Sequence, residues 1–472
     1  MRALITLAAS LLIVFFPFGT DGWAASRADV RVLLQRDVSI VEFEVADGSY
    51  QLVDCAHGLA VARIAVGEKW SVSKEGPSYR LARDGQALDI SVKGPLLLQA
   101  EDSSGLNLFR YRNLRYRGDL YIYNESSGLM AVNVVDLENY LAGVLVKEMG
   151  VTAPLEALKA QAVVSRTYAL SNRNPSAYYD LSADTSTQVY GGYEAETVPG
   201  MERIYEAIRA TEGLVINYDG ELIQAFFHAN GGGHTENSEN VWEKELPYLK
   251  GVPSPYDAYV LQYPHQTPGG WPANTYCWQQ SYSLQELEQK IQAWNQSHPE
   301  DQIAIGKLLR LKISQEDRRG APHLTPSGRV SRLDLIGTAG TKSIFRDKIR
   351  SVLGLKSTLF QIISDATVFV TNGEGQVLAL NSIEGVKVVT AGSEVLLSNS
   401  PSIYLAGENS LRSILPQSFD TVTFEGWGHG HGVGMSQWGA WGMAEAGYNY
   451  RQIIEHYYNQ GKNDGRLTIE PF

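Results

Sequence analysis

The sequence predicts an α+β fold: a β-rich N-terminal part, a mixed α/β core with a helical hairpin and a Gly-rich C-terminal loop, and β-rich insertions. Runs of β-branched and aromatic residues, punctuated by Gly and Asp, fill residues 29–127. Residues 135–149 and 155–170 carry apolar residues at helical spacing. Glycines alternate with other residues through 426–434.

The composition is that of an ordinary globular protein. Of the 472 residues, 44% are hydrophobic and 19% are charged, which allows two or three domains with a large core. The formal net charge of −12 disfavours binding of nucleic acid by a basic surface. We therefore expect no nucleic-acid partner.

Residues 1–26 are typical of an export signal. Arg2 precedes an apolar run over 3–18, and small residues at 24–26 suit cleavage. The run is shorter than the ~20 residues of a membrane span, which favours a secretory peptide over a permanent anchor. We expect export to the periplasm or to the cell wall and extracellular space, with no stable membrane span after cleavage.

Residues 27–127 form the predicted β-rich N-terminal domain, in which Arg117-Gly-Asp119 suits a hairpin turn. The sequence of this part contains no recognisable group of catalytic residues, so the domain could be a binding module or a scaffold. Cys55 and Cys277 lie far apart in the sequence, and we favour two separate thiols over a disulfide.

The first predicted helix, 135–149, ends in an unusual carboxylate. Asp136 is the expected N-cap. The apolar stripe consists of Leu137, Tyr140, Leu141, Val144 and Leu145. Glu148 lies four residues after Val144 and continues this stripe. A carboxylate on a buried face has a raised pKa and can act as a general acid. The alternative is a frayed helix end with Glu148 in solvent.

The second predicted helix begins after a turn, with Thr152 as its cap and Pro154 in its first turn. Arg166 lies on this helix among mostly small and apolar residues. It could pair with a carboxylate or face a ligand, and an arginine in solvent is the default interpretation. Residues 128–472 are expected to form one domain, with an inserted β-rich segment at about 366–420 in which Asn372-Gly373 indicates a hairpin.

The most distinctive tract is the Gly-rich stretch at 426–442. Alternating glycines allow the backbone to approach a ligand or another chain closely. The tract lacks the Gly-Lys-Ser/Thr ending of a phosphate loop. His429 and His431 could be metal ligands, although two His residues without further ligands indicate this weakly. Trp427, Trp438 and Trp441 suit either a sugar-binding cleft or core packing.

Two further tracts are polar enough to line a ligand site. Residues 226–242 join three glycines to His228, His234, Thr235 and Glu236. Zinc at the two His residues is conceivable, but no third or fourth ligand can be named. Gln188 and Tyr190 alternate in a strand-like way and could bond a sugar, with a structural turn as the alternative.

Taken together, these tracts resemble the SpoIID/LytB family of cell-wall proteins. Four segments carry the resemblance: residues 138–149 with 157–169, Thr-Gln-Val-Tyr-Gly at 187–191, residues 232–242 with Pro-Tyr-Leu at 247–249, and residues 428–439 with His-Tyr-Tyr at 456–458. The resemblance runs from about residue 130 to the C-terminus. His431 falls on the family's His, and His429 is an extra one.

The resemblance implies a lytic transglycosylase that acts on peptidoglycan glycan stripped of stem peptides, with Glu148 as its acid/base. The residues expected to bind substrate are Arg166, Gln188, Tyr190, His228, His234, Thr235, His431 and Gln437. We expect no metal and no cofactor, because the Gly-Gly-His tract contains no Cys.

The single carboxylate fits this reaction. Glycoside hydrolysis usually needs two carboxylates. In a lytic transglycosylase, the C6 hydroxyl of the same MurNAc attacks C1 and leaves a 1,6-anhydro end, so that proximity replaces the second residue.

Two alternatives come from other classes. The chain could be a non-catalytic modifier that binds glycan and stimulates a cell-wall amidase. It could also be an exported scaffold that binds glycan through residues 27–127. Glu148 at the motif position favours the enzyme.

Overall fold

The computed structural model describes residues 29–90, 92–102, 105–313, 324–364, 368–371, 376–380, 387–389, 394–396, 404–407, 410–413 and 419–472. The expected signal at 1–26 and the Asn372-Gly373 turn lie outside these residues, as does much of the expected insertion at 366–420. The α+β class is confirmed, since helices and many strands in several sheets occur together.

Residues 29–136 form strands almost throughout. The strands are β1 (Asp29–Val38), β2 (Ile40–Asp47), β3 (Tyr50–Asp54), β4 (Leu59–Ile64), β5 (Lys69–Glu75), β6 (Ser78–Arg83), β7 (Gln86–Ala87), β8 (Leu96–Ala100), β9 (Leu108–Tyr111), β10 (Leu114–Arg117), β11 (Asp119–Asn124) and β12 (Leu129–Asp136). One sheet has the order β10-β9-β2-β5-β6-β7. The other has the order β1-β12-β11-β8-β3-β4, with the short β13 (Leu181–Ser182) added beside β1.

Alternation along the strands places their apolar side chains in one core. In β2, Val41, Phe43 and Val45 are buried and their neighbours are more exposed. β1 pairs antiparallel with β12, the strand that runs directly into the first helix. One hydrophobic cluster consequently extends from Val30 in β1 to Tyr458 near the C-terminus.

The hairpin expected at residues 117–119 is wrong. β10 ends at Arg117 in the six-stranded sheet, whereas β11 begins at Asp119 in the other sheet. Gly118 therefore carries the chain between sheets, at a φ of +77°. A Cβ at Gly118 would lie 2.1 Å from the carbonyl oxygen of Val134, so the close crossing requires glycine.

Helices follow β12. They are α1 (Leu137–Glu148), α2 (Leu155–Ser171), α3 (Met201–Ala210) and α4 (Glu239–Trp242), with 3-10 turns at Tyr193–Thr197 and Pro255–Gln262. The Asp136 cap is confirmed, because its side chain accepts a hydrogen bond from the backbone N–H of Asn139. The Thr152 cap is wrong: Pro154 occupies the N-cap position of α2, and Thr152 donates instead to Thr267.

The chain between 214 and 313 continues with β14 (Leu214–Tyr218), β15 (Glu221–Leu222), β16 (Phe227–His228), β17 (Cys277–Ser283), α5 (Leu284–Ser297) and β18 (Leu308–Ile313). Then come β19 (Arg332–Gly337), β20 (Gly340–Phe345), α6 (Asp347–Leu353), β21 (Phe360–Ser364), β22 (Val368–Thr371), β23 (Val377–Leu380), β24 (Lys387–Val389), β25 (Glu394–Leu396), β26 (Tyr404–Gly407) and β27 (Ser410–Ser413). The chain ends with β28 (Thr421–Trp427), β29 (Met435–Ser436), α7 (Gln437–Glu445), α8 (Tyr450–Asn459) and β30 (Leu467–Pro471).

A second hydrophobic cluster lies within residues 277–427, which we call the 277–427 segment. It extends from Trp278 in β17 to Phe424 in β28. β28 pairs on one side with β17 and on the other with β21. This arrangement brings the Gly-rich tract, which begins at the end of β28, back to the first cluster.

Candidate active site

Glu148 is the last residue of α1, and its carboxylate meets two other segments. Oε1 accepts a hydrogen bond from the backbone N–H of Val189 at 2.8 Å, and Oε2 accepts one from Nε2 of Gln437 at 3.0 Å. Burial raises the pKa of Glu148, while these two hydrogen bonds oppose the rise. The side chain is half-buried. Three tracts that are far apart in sequence therefore meet at one carboxylate.

Local sequence explains why α1 stops at Glu148. The predicted stripe from Leu137 to Leu145 is buried and fixes the helix on the core. Gly150 has a φ of +74° and donates to the carbonyl oxygens of Leu145 and Val146, which ends the helix. A Cβ at Gly150 would lie 2.9 Å from the side chain of Trp271. The carboxylate is consequently held at a sharp helix end.

The tract at 187–191, which is not a strand in the structure, offers the backbone N–H of Val189 to Glu148, whereas the side chains of Gln188 and Tyr190 are buried. Gln188 is fully buried, accepts a hydrogen bond from Tyr140 at 3.2 Å and donates to the carbonyl of Ser165 at 3.4 Å. Tyr190 is buried against Gly143, where a Cβ would approach the ring to 2.7 Å. Both residues hold Val189 in place.

Two tyrosines flank the carboxylate. Burial, and then the charge of Glu148, raise the pKa of both Tyr140 on α1 and Tyr168 on α2. Tyr168 also packs edge-on against Phe226, at 5.8 Å between ring centroids. Tyr168 was not predicted as a site residue, because in the sequence it is one more apolar position on α2.

Gln437 reaches Glu148 from the first turn of α7 and is buried. Ser436 caps α7, accepting a hydrogen bond from the backbone N–H of Gly439 at 3.2 Å. Gly428, Gly430, Gly432 and Gly434, in the tract before the cap, all have positive φ. At Gly434 a Cβ would lie 2.0 Å from the carbonyl oxygen of Phe226. The alternating glycines therefore allow a close backbone approach that brings Gln437 to the site.

Comparison with known proteins matches this same part of the chain. Residues 125–218, which include Glu148 and Val189, match the family model SpoIID, described as Stage II sporulation protein. Stage II sporulation protein D of Bacillus subtilis is 26% identical over 345 residues, covering 70% of this chain and 74% of the relative. This chain carries a SpoIID segment at residues 125–218.

Two other relatives match this chain. The Amidase enhancer of Bacillus subtilis is 27% identical over 67% of the chain, but the match spans only 39% of the enhancer's length. An uncharacterized protein of Brachyspira hyodysenteriae is 27% identical over 78% of the chain and 76% of its own length. Residues 269–377 match a separate family, a domain of unknown function (DUF8618).

His228 and His431 lie together, and the strand that carries His228 pairs with Met435 and Ser436 next to Gln437. Their ring centroids are 5.6 Å apart, and His431 also lies 4.9 Å from the ring of Trp242. Nδ1 of His228 donates to the carbonyl oxygen of Val433 at 3.1 Å. Burial lowers the pKa of His431 to about 4 and lowers that of His228 as well. Both rings are consequently neutral at pH 7.

His234 and Thr235 lie on the neighbouring loop rather than against Glu148. Nδ1 of His234 donates to the carbonyl oxygen of Thr235 at 2.7 Å, and its ring is half-buried. Thr235 is buried and accepts a hydrogen bond from the backbone N–H of Val252 at 2.8 Å. The loop joins the Gly-rich tract through bridges at Asn230 and Glu236.

Arg166 is fully buried and forms an ion pair with Glu138. Its guanidinium donates to both carboxylate oxygens of Glu138 at 2.7 Å and to the carbonyl of Leu214 at 3.0 Å. A bidentate pair of this kind ties α2 to α1. Of the alternatives for Arg166, the structure has the ion pair.

Sequence reasoning missed a buried acid beneath the Gly-rich tract. Asp257 is fully buried; it accepts hydrogen bonds from the hydroxyl of Ser436 and from the backbone N–H of Gly233 at 2.9 Å. Burial raises its pKa, while the bond from Ser436 and further hydrogen bonds oppose the rise. Its partners lie 24 and 179 residues away along the chain, so no local pattern marks it.

Other expectations can be placed as well. Trp438 and Trp441 are buried in the core, whereas Trp427 is 37% exposed. Cys55 and Cys277 are free, which confirms two separate thiols. Within the described ranges, no three His, Cys, Asp or Glu side chains are placed to share a metal ion. The described helices are all too short or too polar to cross a membrane.

Proposed function

We propose that this protein is an exported lytic transglycosylase that cleaves the MurNAc–GlcNAc bonds of peptidoglycan glycan, with Glu148 as its one acid/base. The supporting observation is the half-buried Glu148 carboxyl, whose pKa is raised by burial and which is fixed by Val189 and Gln437. Its place in the segment that matches the SpoIID family gives that carboxyl a cell-wall context.

The reaction balances with this one side chain. Protonated Glu148 gives its proton to the glycosidic oxygen, and the C1–O bond breaks with its electron pair going to GlcNAc. The C6 hydroxyl of the same MurNAc attacks C1 and gives its proton to the Glu148 carboxylate. Glu148 ends as an acid again, and the new MurNAc end is 1,6-anhydro. No water is consumed.

Gln437 suits both protonation states of Glu148. Its NH₂ donates to the carboxylate. Rotation of the Gln437 amide group by half a turn would place its carbonyl oxygen against Oε2 of Glu148. The amide oxygen could then accept a hydrogen bond from the protonated carboxyl. The backbone N–H of Val189 can only donate, so it always favours the ionised form. We therefore assign Gln437 to positioning Glu148 through the proton cycle.

For the other predicted residues, exposure separates two roles. We propose that His234 and His431, which are half-buried, contact substrate beside Glu148. The remaining residues are buried and bonded within the protein, which suits support of the site. They are Arg166, Gln188, Tyr190, His228, Thr235 and Gln437.

A second candidate function is that of a non-catalytic modifier of a cell-wall amidase. The similarity to the Amidase enhancer favours it. This function needs a glycan-binding surface but no acid at Glu148. It therefore differs from the enzyme in what replacement of Glu148 does.

A digestion experiment separates the two functions. Purified protein is incubated with glycan strands stripped of stem peptides, and in parallel with intact peptidoglycan, with and without a cell-wall amidase. We expect anhydro-ended fragments from stripped strands with this protein alone, and from intact peptidoglycan when amidase is added. The enzyme proposal fails if stripped strands stay intact. Amidase release of peptides that rises equally with wild type and Glu148→Gln would support the modifier.

A further inference from the structure

Arg329 crosses from the 277–427 segment into the loop beside the candidate site. Its guanidinium donates to the carbonyl oxygens of Gly231 at 2.7 Å and His234 at 2.8 Å. Only 1% of the residue is exposed. Two backbone oxygens of the loop are thus bonded by one cation from a distant part of the chain.

Two neighbours of Arg329 bond the same loop. The hydroxyls of Thr325 and Ser327 both donate to Oε2 of Glu236, the latter at 2.7 Å. Ser327 also accepts a hydrogen bond from Arg329 at 3.1 Å. Glu236 is 2% exposed. We call Thr325, Ser327 and Arg329 the clamp.

Charge explains why Arg329 can be buried. Burial lowers the pKa of its guanidinium, and the carboxylates of Glu236, Asp257 and Asp347 act against that lowering. Two of these acids, Glu236 and Asp257, belong to the polar loop and to the 3-10 turn that follows it. Removal of the cation would leave both buried acids without this compensation, which is costly.

The clamp connects to Glu148 through the Gly-rich tract. The guanidinium fills the space where a side chain at Gly432 would be, since a Cβ there would lie 2.7 Å from it. Glu236 donates its backbone N–H to the carbonyl of Gly432 at 2.7 Å. Gly231 donates its backbone N–H to Ser436 at 3.2 Å, and the next residue, Gln437, bonds Glu148.

We propose that the clamp of the 277–427 segment positions Gln437 against Glu148 by holding the 231–236 loop and the Gly-rich tract together. Arg329 is a positioning residue, since it touches neither Glu148 nor Gln437. The 277–427 segment, which overlaps the domain of unknown function, thereby contributes positioning residues to the site. The catalytic consequence rests on the proposed function, whereas the ordering of the loop does not.

The test compares Arg329→Met with Arg332→Met in the full chain. Arg332 bonds Asp334 within the same segment at 2.8 Å, so it is a control for the loss of a hydrogen-bonded arginine from this segment. Amide hydrogen exchange of residues 231–237 and 431–437 is measured by mass spectrometry. Cleavage of stripped glycan gives kcat and KM.

We expect Arg329→Met to speed exchange in both stretches by about 10-fold or more, because unpaired carbonyls and acids loosen the loop. We expect kcat to fall about 10²-fold, with KM changed far less. Arg332→Met should alter neither stretch. Unchanged exchange in 431–437 for Arg329→Met, or equal change in the control, would overturn the proposal.

Two provisions keep this test decisive. If Arg329→Met does not fold, Ser327→Ala, which removes one hydroxyl that bonds both Arg329 and Glu236, is judged by the same exchange criteria. If wild type does not cleave glycan, the proposed function fails, and the exchange result alone decides whether the clamp orders the tract.

Discussion

Replacement of Glu148 by Gln is expected to lower glycan cleavage by about 10²–10⁴-fold, the range that general acid–base catalysis supplies. Gln has the same shape as Glu and can still accept the hydrogen bond from the backbone N–H of Val189. It cannot give a proton to the glycosidic oxygen. Because Glu148 serves as both acid and base in the proposed cycle, the loss should fall in kcat rather than KM.

The matched control is Glu202→Gln, which removes the exposed acid in the first turn of α3. It should cleave at the wild-type rate. Initial rates on stripped glycan, with thermal unfolding of each protein measured alongside, check both variants. A Glu148→Gln protein that folds normally and keeps more than about a tenth of the wild-type rate would show that another group supplies the proton.

The second large effect expected is a loss of activity as pH rises. Burial raises the pKa of Glu148, and the active form at the start of the cycle is the acid. Activity should therefore be highest below this raised pKa and fall as pH increases through it. Neither His228 nor His431 should add a step near neutrality, because burial lowers both of their pKa values.

Stability should show the same pKa with a defined sign. The folded protein holds the Glu148 proton more tightly than the unfolded chain, where the pKa is about 4.3. The contribution of Glu148 to stability is therefore complete below that value and declines as pH rises through the folded pKa. Gln does not titrate, so the Tm of Glu148→Gln relative to wild type should rise with pH over this window. A Tm difference that is flat from acid to neutral pH would contradict a raised pKa.

The sequence predicted the features that rest on local chemistry. Asp136 caps α1 because its side chain bonds the N–H three residues later. The apolar stripe of α1 gives the direction of Glu148, and alternating glycines signal the close approach at 428–434. The prediction that Thr152 caps α2 is wrong, because Pro154 takes the cap position next to the helix.

The features that could not be predicted from the sequence depend on contacts between residues far apart along the chain. Arg329 looks like any surface arginine until the fold places it against Gly231, 98 residues away. Arg166 lies among mostly small and apolar residues on α2, and only its contact with Glu138 on α1 shows that it forms an ion pair. Gly118 looks like a hairpin turn, although its neighbours belong to different sheets. No spacing rule within a single element contains this information.

The most direct test of the central proposal is the chemical nature of the new MurNAc ends. Wild type is allowed to digest stripped glycan, and the fragments are treated with borohydride and analysed by mass spectrometry. Intramolecular attack by the C6 hydroxyl predicts ends that are lighter by one water than hydrolysed ends and that resist reduction, since they carry no free aldehyde. Ends that are reduced to the alditol would mean that water attacked C1, and would contradict a single-carboxylate transglycosylase built on Glu148.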